Sequence, residues 1–248
     1  MGILRTENIS KSFGEKAVLD NISIELHEGE IVCLLGVSGS GKTTLFNIIS
    51  GLHTPDSGAV FLDDKEITGV PGEISYMLQK DLLLPYYTIL DNVCLPLVIK
   101  KGMKKKDARA LASPLFEQFG LDGTQKLYPA QLSGGMKQRA AFLRTYLSSQ
   151  GVALLDEPFS ALDTITKSAI HVWYLKIMEE IKLSTLFVTH DIDEAILLSD
   201  RIYILSETPG KITNEFVIDF PKPRDTEFTL TKEFIDYKKA IISSLGQI

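Results

Sequence analysis

The chain has 248 residues, 44% of them hydrophobic, enough to bury a full core in one large domain or in one domain with a subdomain. A net charge of −6 and a pI near 5.3 exclude a nucleic-acid binder held by broad basic surface, and they give no support to lipid binding by charge. Its two cysteines, Cys33 and Cys94, stand 61 positions apart, so no disulfide framework or metal spacing follows and a reducing compartment is expected.

Residues 1–7 are not expected to be a signal peptide, because Arg5 and Glu7 arrive before any apolar run of useful length. No 18-residue apolar stretch predicts a membrane span. Residues 3–26 predict two strands around a turn at Gly14-Glu15-Lys16, with Val18, Ile22, Ile24 and Leu26 inward on the second. His27 falls in the next turn and is expected to be solvated. Ile31-Val32-Cys33-Leu34-Leu35 is continuously apolar, as in a strand buried on both faces, which makes Cys33 a core residue.

That run enters Gly36-Val37-Ser38-Gly39-Ser40-Gly41-Lys42-Thr43-Thr44. Leu45, Phe46, Ile48 and Ile49 then recur at helical spacing until Ser50-Gly51. Strand, glycine loop and helix form the context in which G-x-x-x-x-G-K-[ST] means phosphate binding. The glycines let backbone N–H groups converge on an anion, and the helix N-terminus adds partial positive charge. Lys42 is expected to reach the β- and γ-phosphates, and the Thr43 hydroxyl to ligate Mg²⁺.

Pro55 to Asp64 reads as turn, strand and turn, and Ile74 to Leu78 as a short strand ending at Gln79. From Leu82 the pattern becomes helical. Ala108, Leu111, Ala112, Leu115, Phe116 and Phe119 predict a helix over Asp107 to Phe119, stopped by Gly120. Lys100 to Lys106 holds five lysines in seven residues; without interleaved aromatics it reads as an exposed loop and helix start, not a nucleic-acid patch. A second helix begins near Ser133, with Gly134-Gly135 in its first turn.

Strand and helix then alternate again. Val152 to Leu155 is a buried strand running into Asp156-Glu157-Pro158. Ile165, Ala169, Trp173, Ile177 and Ile181 predict a helix packed by one face, with Trp173 in the core. Thr185 to Thr189 is a strand ending at His190, and Asp191-Ile192-Asp193-Glu194 supplies a capping-box-like start for a helix reaching Leu198. Ile202 to Leu205 and Lys211 to Ile218 pair across Thr208-Pro209-Gly210. After Pro221 and Pro223 a tail helix is expected to present Leu230, Phe234, Tyr237, Ile241 and Leu245 on one face.

Phosphate hydrolysis needs a metal, a positioned water and compensation of charge on the transferred group. Candidates for each end a strand, where the loops of an open parallel sheet meet ligands. Asp156 is the expected Mg²⁺ holder and Glu157 the general base. His190 is the expected γ-phosphate contact, and the Gln79 amide can touch both metal and water. Leu132-Ser133-Gly134-Gly135-Met136-Lys137-Gln138-Arg139 forms another anion-binding turn, 91 positions beyond Lys42. One nucleotide needs no second γ-phosphate site unless that site serves a neighbour.

With these motifs, essentially the whole chain resembles the ATP-binding subunit of an ATP-binding-cassette (ABC) transporter. The resemblance implies an α/β P-loop NTPase (RecA-like) core with an antiparallel β subdomain and an inserted α-helical subdomain. The core and β subdomain would occupy 1–81 and 149–220, the helical subdomain 82–148, and a tail 221–248. It further implies two subunits paired head to tail around two ATP–Mg²⁺, with Gly36, Ser38, Gly39, Ser40, Gly41, Lys42, Thr43 and Thr44 as Walker A. Ser133, Gly134, Gly135 and Gln138 would be the signature facing the partner's nucleotide. Gln79 matches the Q-loop, Leu154-Leu155-Asp156-Glu157 Walker B, Ser160-Ala161-Leu162-Asp163 the D-loop and His190 the H-loop. Phe13 falls where relatives stack an aromatic on adenine.

A closer resemblance is to the branch importing nitrate, sulfonates, taurine and thiamine-pyrimidine precursors. Met77 to Pro85, Thr88 to Val93, Tyr128-Pro129 and Asp156 to Asp163 carry it. Tyr86-Tyr87, Ala130 and Lys137 depart from that branch, where Trp-Arg, His and Arg are common. The expected partners are a second copy or a homologous ATPase subunit, an integral membrane permease and, indirectly, a solute-binding protein, with no nucleic acid. The expected location is peripheral, on the cytoplasmic face of the cell membrane. The alternatives are an exporter's ATPase, or an ABC ATPase acting on nucleic acid or ribosomes.

Overall fold

The computed structural model describes residues 3–222, 224 and 227–246. Met1 and Gly2, and Pro223 ahead of the expected tail helix, lie outside them. The chain opens with β1 (Leu4–Phe13) and β2 (Lys16–Leu26), passes through β3 (Ile31–Leu35) and α1 (Lys42–Ile49), and returns with β4 (Ser57–Leu62) and β5 (Lys65–Glu66). The first two and last two strands make an antiparallel sheet in the order β2-β1-β4-β5. Then follow β6 (Ser75–Met77), the helices α2 (Ile89–Ile99), α3 (Lys105–Ala112), α4 (Leu115–Gln118) and α5 (Gly134–Ser148), and β7 (Val152–Asp156). The chain closes with α6 (Thr164–Ile181), β8 (Ser184–Thr189), α7 (Ile192–Leu198), β9 (Arg201–Ser206), β10 (Lys211–Val217) and α8 (Lys232–Ser244).

A second sheet runs β10-β9-β3-β8-β7-β6, parallel except at its β10 edge. Every residue of β3, β7 and β8 is buried, because both faces are covered. Alternation divides their side chains between two cores. Cys33, Leu35, Ala153, Leu155 and Phe187 meet the helices α2 to α8. Val32, Leu34, Leu154, Leu186 and Val188 meet α1 and the antiparallel sheet. The C-terminal ends of β3, β6, β7 and β8 thereby lie along one rim, which carries the site.

Several elements depart from the sequence reading. The helix expected over 107–119 is two, α3 and α4, broken at Ser113-Pro114. Pro114 has no N–H to give the preceding turn and its ring crowds the carbonyl four residues back; Leu111 is left exposed. On α6 the buried face is Ile170, Tyr174, Leu175, Ile177 and Met178, while Ile165 and Ala169 are exposed. A strict spacing of four drifts about 40° per step around a 3.6-residue helix, so five such positions cannot share one face. Trp173 is half-buried, packed on Phe119 and Phe142 beneath the Arg139 guanidinium.

Asp191 caps α7, accepting from the N–H groups of Asp193 and Glu194, but the Glu194 side chain turns away to Thr189 and leaves the box open. In the tail, Phe234 and Ile241 are buried, whereas Leu230 belongs to a preceding 3-10 turn and is exposed. Among the described residues no helix is long and apolar enough to cross a membrane.

Candidate active site

The glycine loop is shaped by contacts that tolerate no side chain. A Cβ on Gly36 would stand 2.3 Å from the carbonyl oxygen of Leu205, at the end of β9. Gly41 has φ +99, and a Cβ there would stand 2.7 Å from Leu19 Cδ2. No side chain caps α1, whose first helical bond runs from the Leu45 N–H to the Gly41 carbonyl, so the helix start is left to an incoming anion. Ser40 is buried with an unpartnered hydroxyl among the described residues. Lys42 curls back and donates to the carbonyls of Gly36 and Val37, both at 2.8 Å. Burial pulls its pKa down, against the attraction of Glu157 and Asp156. Val18, Ser38, Gly39, Gly41, Lys42, Thr43, Thr44 and Glu157 line one cleft.

Asp156 ends β7, nearly buried, and accepts from the Tyr76 hydroxyl at 3.1 Å. Burial pushes its pKa up; the Tyr76 bond and Lys42 offset this only in part, and Glu157 adds to it. Glu157 follows in the left-handed region at φ 45, a conformation costing about 1–3 kcal/mol that persists where surroundings over-determine it. Its N–H is held by the carbonyl of Val188 at 3.0 Å. The turn aims the carboxylate between two partners: Gln79 Nε2 donates to Oε2 at 3.0 Å, and His190 Nδ1 lies 3.2 Å from Oε1. Ser160 supports this pair, reaching Gln79 Nε2 at 3.4 Å and donating to the Glu157 carbonyl at 3.0 Å.

The sequence-predicted residues thus fall into three groups. Ser38, Gly39, Gly41, Lys42, Thr43, Thr44 and Glu157 share one cleft, with Gly36, Ser40 and Asp156 buried behind it, and Gln79, Glu157, His190 and Gln138 line an adjoining one, so Glu157 is the common wall. Ser133, Gly134, Gly135 and Asp163 line neither cleft. Ser133 caps α5 by accepting from the Met136 N–H, and a Cβ on Gly135 would press Thr166 at 3.2 Å, so this turn lies against the start of α6. Asp163 caps α6, accepting from the N–H groups of Ile165 and Thr166 and from the Thr166 hydroxyl, which hold its carboxyl below the usual range. Gln138 is nearly buried beside the chain's own Glu157 rather than on an exposed signature face. Phe13 is 47% exposed, edge-on to His53, on the hairpin whose second strand supplies Val18.

Sequence reasoning missed Tyr76 and Val18, and it placed Ser160 in the D-loop without its contact to Gln79. Tyr76 is placed by strand register, opposite Leu154 and so two positions short of Asp156, a relationship that no local spacing encodes. Ser160 stands three residues past Glu157, and that was the one available signal.

Comparison with known proteins agrees with this geometry. A family model described as "ABC transporter" matches residues 19–160, more than half the chain. The formylaminopyrimidine import ATP-binding protein ThiZ of Halalkalibacterium halodurans is 48% identical over 84% of this chain and 81% of its own. The nitrate import ATP-binding protein NrtD of Synechocystis is 38% identical over 94% of this chain and 89% of its own. Among solved structures, a dimeric ABC transporter cassette superposes with a TM-score of 0.74 at 31% identity, covering 88% of this chain and all of that one. The same cassette in a post-hydrolysis state with ADP and Pi gives a TM-score of 0.73 at 31% identity, over the same shares of the two chains. With its phosphate loop, its Asp-Glu strand end and this likeness over nearly its full length, the chain belongs to the ABC transporter family.

Proposed function

We propose that this chain is the ATP-hydrolysing subunit of an importer for a small solute, acting in pairs on the cytoplasmic face of the membrane beneath a separate permease. The observation that carries the reading is the Glu157 carboxylate, which faces the phosphate-loop cleft while Gln79 and His190 clamp its two oxygens. A carboxylate so held is oriented to accept a proton from water. The water oxygen bonds to the γ-phosphorus, the bond to the bridging oxygen breaks, and its electron pair leaves with ADP. Glu157 takes the water's proton. His190 and Gln79 fix the direction in which that carboxylate points, and Lys42 exchanges its two loop carbonyls for phosphate oxygens.

The donor set fits Mg²⁺, which prefers oxygen ligands. Asp156 offers a buried carboxylate whose one hydrogen-bond donor among the described residues is Tyr76, and the Thr43 hydroxyl lines the cleft. Asp156 and Thr43 would hold the metal, which would supply positive charge against that developing on the phosphates. The signature turn Ser133-Gly134-Gly135 stands outside its own chain's phosphate cleft, which supports its use on the nucleotide of a second copy. Residues 82–148 form the helical subdomain in this reading. Relatives named for importing formylaminopyrimidine and nitrate support the direction of transport and a small solute.

The test is recovery of partners from native membranes with tagged Glu157→Gln protein and ATP. A multi-span permease, with a solute-binding protein, supports the importer. Nucleic acid or ribosomes without any membrane protein would overturn it.

A further inference from the structure

His190 owes its place to a group that the catalytic reading does not use. Glu194, one turn into α7, is 3% exposed. Its Oε2 accepts from the Thr189 hydroxyl at 2.5 Å, and the same hydroxyl oxygen accepts the Asp191 N–H at 3.1 Å. Both neighbours of His190 are therefore tied through one buried carboxylate. Its other oxygen meets α6: Lys167 Nζ lies 2.5 Å and His171 Nε2 3.5 Å from Oε1. Lys167 also pairs with Asp191 Oδ2 at 2.9 Å.

The groups facing Glu194 come from three elements: Lys167 and His171 on α6, the Thr189 hydroxyl at the end of β8, and Asp191, the cap of its own helix. Burial alone would push its carboxyl up, but the bonds from His171, Lys167 and Thr189 outweigh that and hold it below the usual range. A buried carboxylate with a cation on one oxygen and a hydroxyl on the other has few alternative orientations. Lys167 is one turn from Asp163, the cap of α6, so the same contacts bind the start of that helix to the strand end that carries His190.

We propose that Glu194 is a positioning residue for ATP hydrolysis, gripping Lys167 and Thr189 so that the backbone on both sides of His190 presents the imidazole to Glu157. This rests on the reading of Glu157 and His190 as the hydrolytic pair. Glu194 lines neither the phosphate-loop cleft nor the adjoining one, so its effect passes through His190. A displacement of an ångström at such a contact is enough to lower turnover by about 10- to 100-fold.

The experiment measures kcat and KM for ATP in the full chain, following radiolabelled phosphate release, with thermal melts in parallel. Glu194→Gln and Thr189→Val are each made in the parent and in a His190→Ala background. Expected in the parent is a fall in kcat of about 10-fold or more with KM little changed. In the His190→Ala background the same substitutions should change kcat by no more than about twofold, since their route is already cut. Equal losses in both backgrounds would overturn the proposal, because they would mean a general effect on the fold. Thr189→Val keeps a β-branched side chain in the strand and carries the test if Glu194→Gln does not fold. Parent-like kcat in His190→Ala itself would sink the underlying catalytic reading, and this inference with it. A loss there, followed by additive losses, would sink this inference alone.

Discussion

Tyr76 donates its hydroxyl to Oδ2 of Asp156 at 3.1 Å, between the neighbouring parallel strands β6 and β7. The bond stabilises a charge that burial opposes, and burial wins: the Asp156 carboxyl is raised above 3.8. Below that value the residue is protonated in folded and unfolded chains alike and makes no difference to stability. As pH rises from there through the raised native pKa, the unfolded chain ionises more readily and stability is lost; above the native pKa the loss is constant. Asp156→Asn is therefore expected to match the parent's Tm near pH 4 and to exceed it at pH 8, while losing ATP turnover. Tyr76→Phe should do the reverse, lowering stability by about 1–2 kcal/mol at pH 8 and less at pH 4. Thermal melts at the two pH values check both. An Asn variant less stable at pH 8 would show that the carboxylate is a structural asset and not a site held ready for a ligand.

Replacing Glu157 with Gln keeps shape and hydrogen-bonding capacity but removes the proton acceptor. Turnover is expected to fall by about 10²-fold or more, with ATP binding retained. Binding by equilibrium titration, set beside steady-state hydrolysis, separates the two. Size-exclusion chromatography should show an ATP-dependent dimer of this variant, because in the proposed pairing the nucleotide that joins the two copies is no longer hydrolysed. Hydrolysis close to that of the parent would remove Glu157 from its role.

Two glycines of the phosphate loop make different predictions. Gly36→Ala would drive a Cβ into the backbone carbonyl of Leu205, which cannot yield without moving the end of β9. Both Tm and ATP affinity should fall. Gly39 has φ +85, and a methyl group there would meet nothing within 4 Å, so Gly39→Ala should carry only the strain of the left-handed backbone, about 1–2 kcal/mol. If the two variants lose the same stability, the contact with Leu205 does not set the loop's position.

How far the sequence alone reaches is seen by comparing such positions. The runs 31–35, 152–155 and 185–189 read as strands because burial on both faces leaves them apolar except for the β-branched Thr185 and Thr189. The glycine loop that leads to Lys42, the pair Asp156-Glu157 and His190 follow those runs directly, so one-dimensional order already puts them on one rim. The helix α2 went unread because Ile89-Leu90-Asp91-Asn92-Val93-Cys94-Leu95-Pro96-Leu97 is apolar around most of its circumference, which hides the helical period, and Pro96 sits inside it. Pairing with Tyr76, the support of Ser160 and the grip of Glu194 depend on strand register and on contacts between distant helices. Local periodicity holds no record of these.

The helical region reaches the Glu157 carboxylate through Arg144. From α5 its guanidinium donates to the carbonyls of Leu82, at 2.9 Å, and Asp81, and Gln79 two residues earlier donates to Glu157. The planar fork gives each of the two carbonyls its own nitrogen, whereas a lysine would bring a single nitrogen on a shorter side chain to the same two oxygens. Arg144→Lys should therefore behave like Arg144→Met. In both, the loop after β6 loosens, Gln79 leaves the Glu157 carboxylate for part of the time, and kcat falls by about 10-fold while ATP affinity holds. Steady-state hydrolysis and nucleotide titration of the two variants check this. Full activity in Arg144→Lys would mean that charge alone anchors the loop, and full activity in Arg144→Met that α5 has no hold on Gln79.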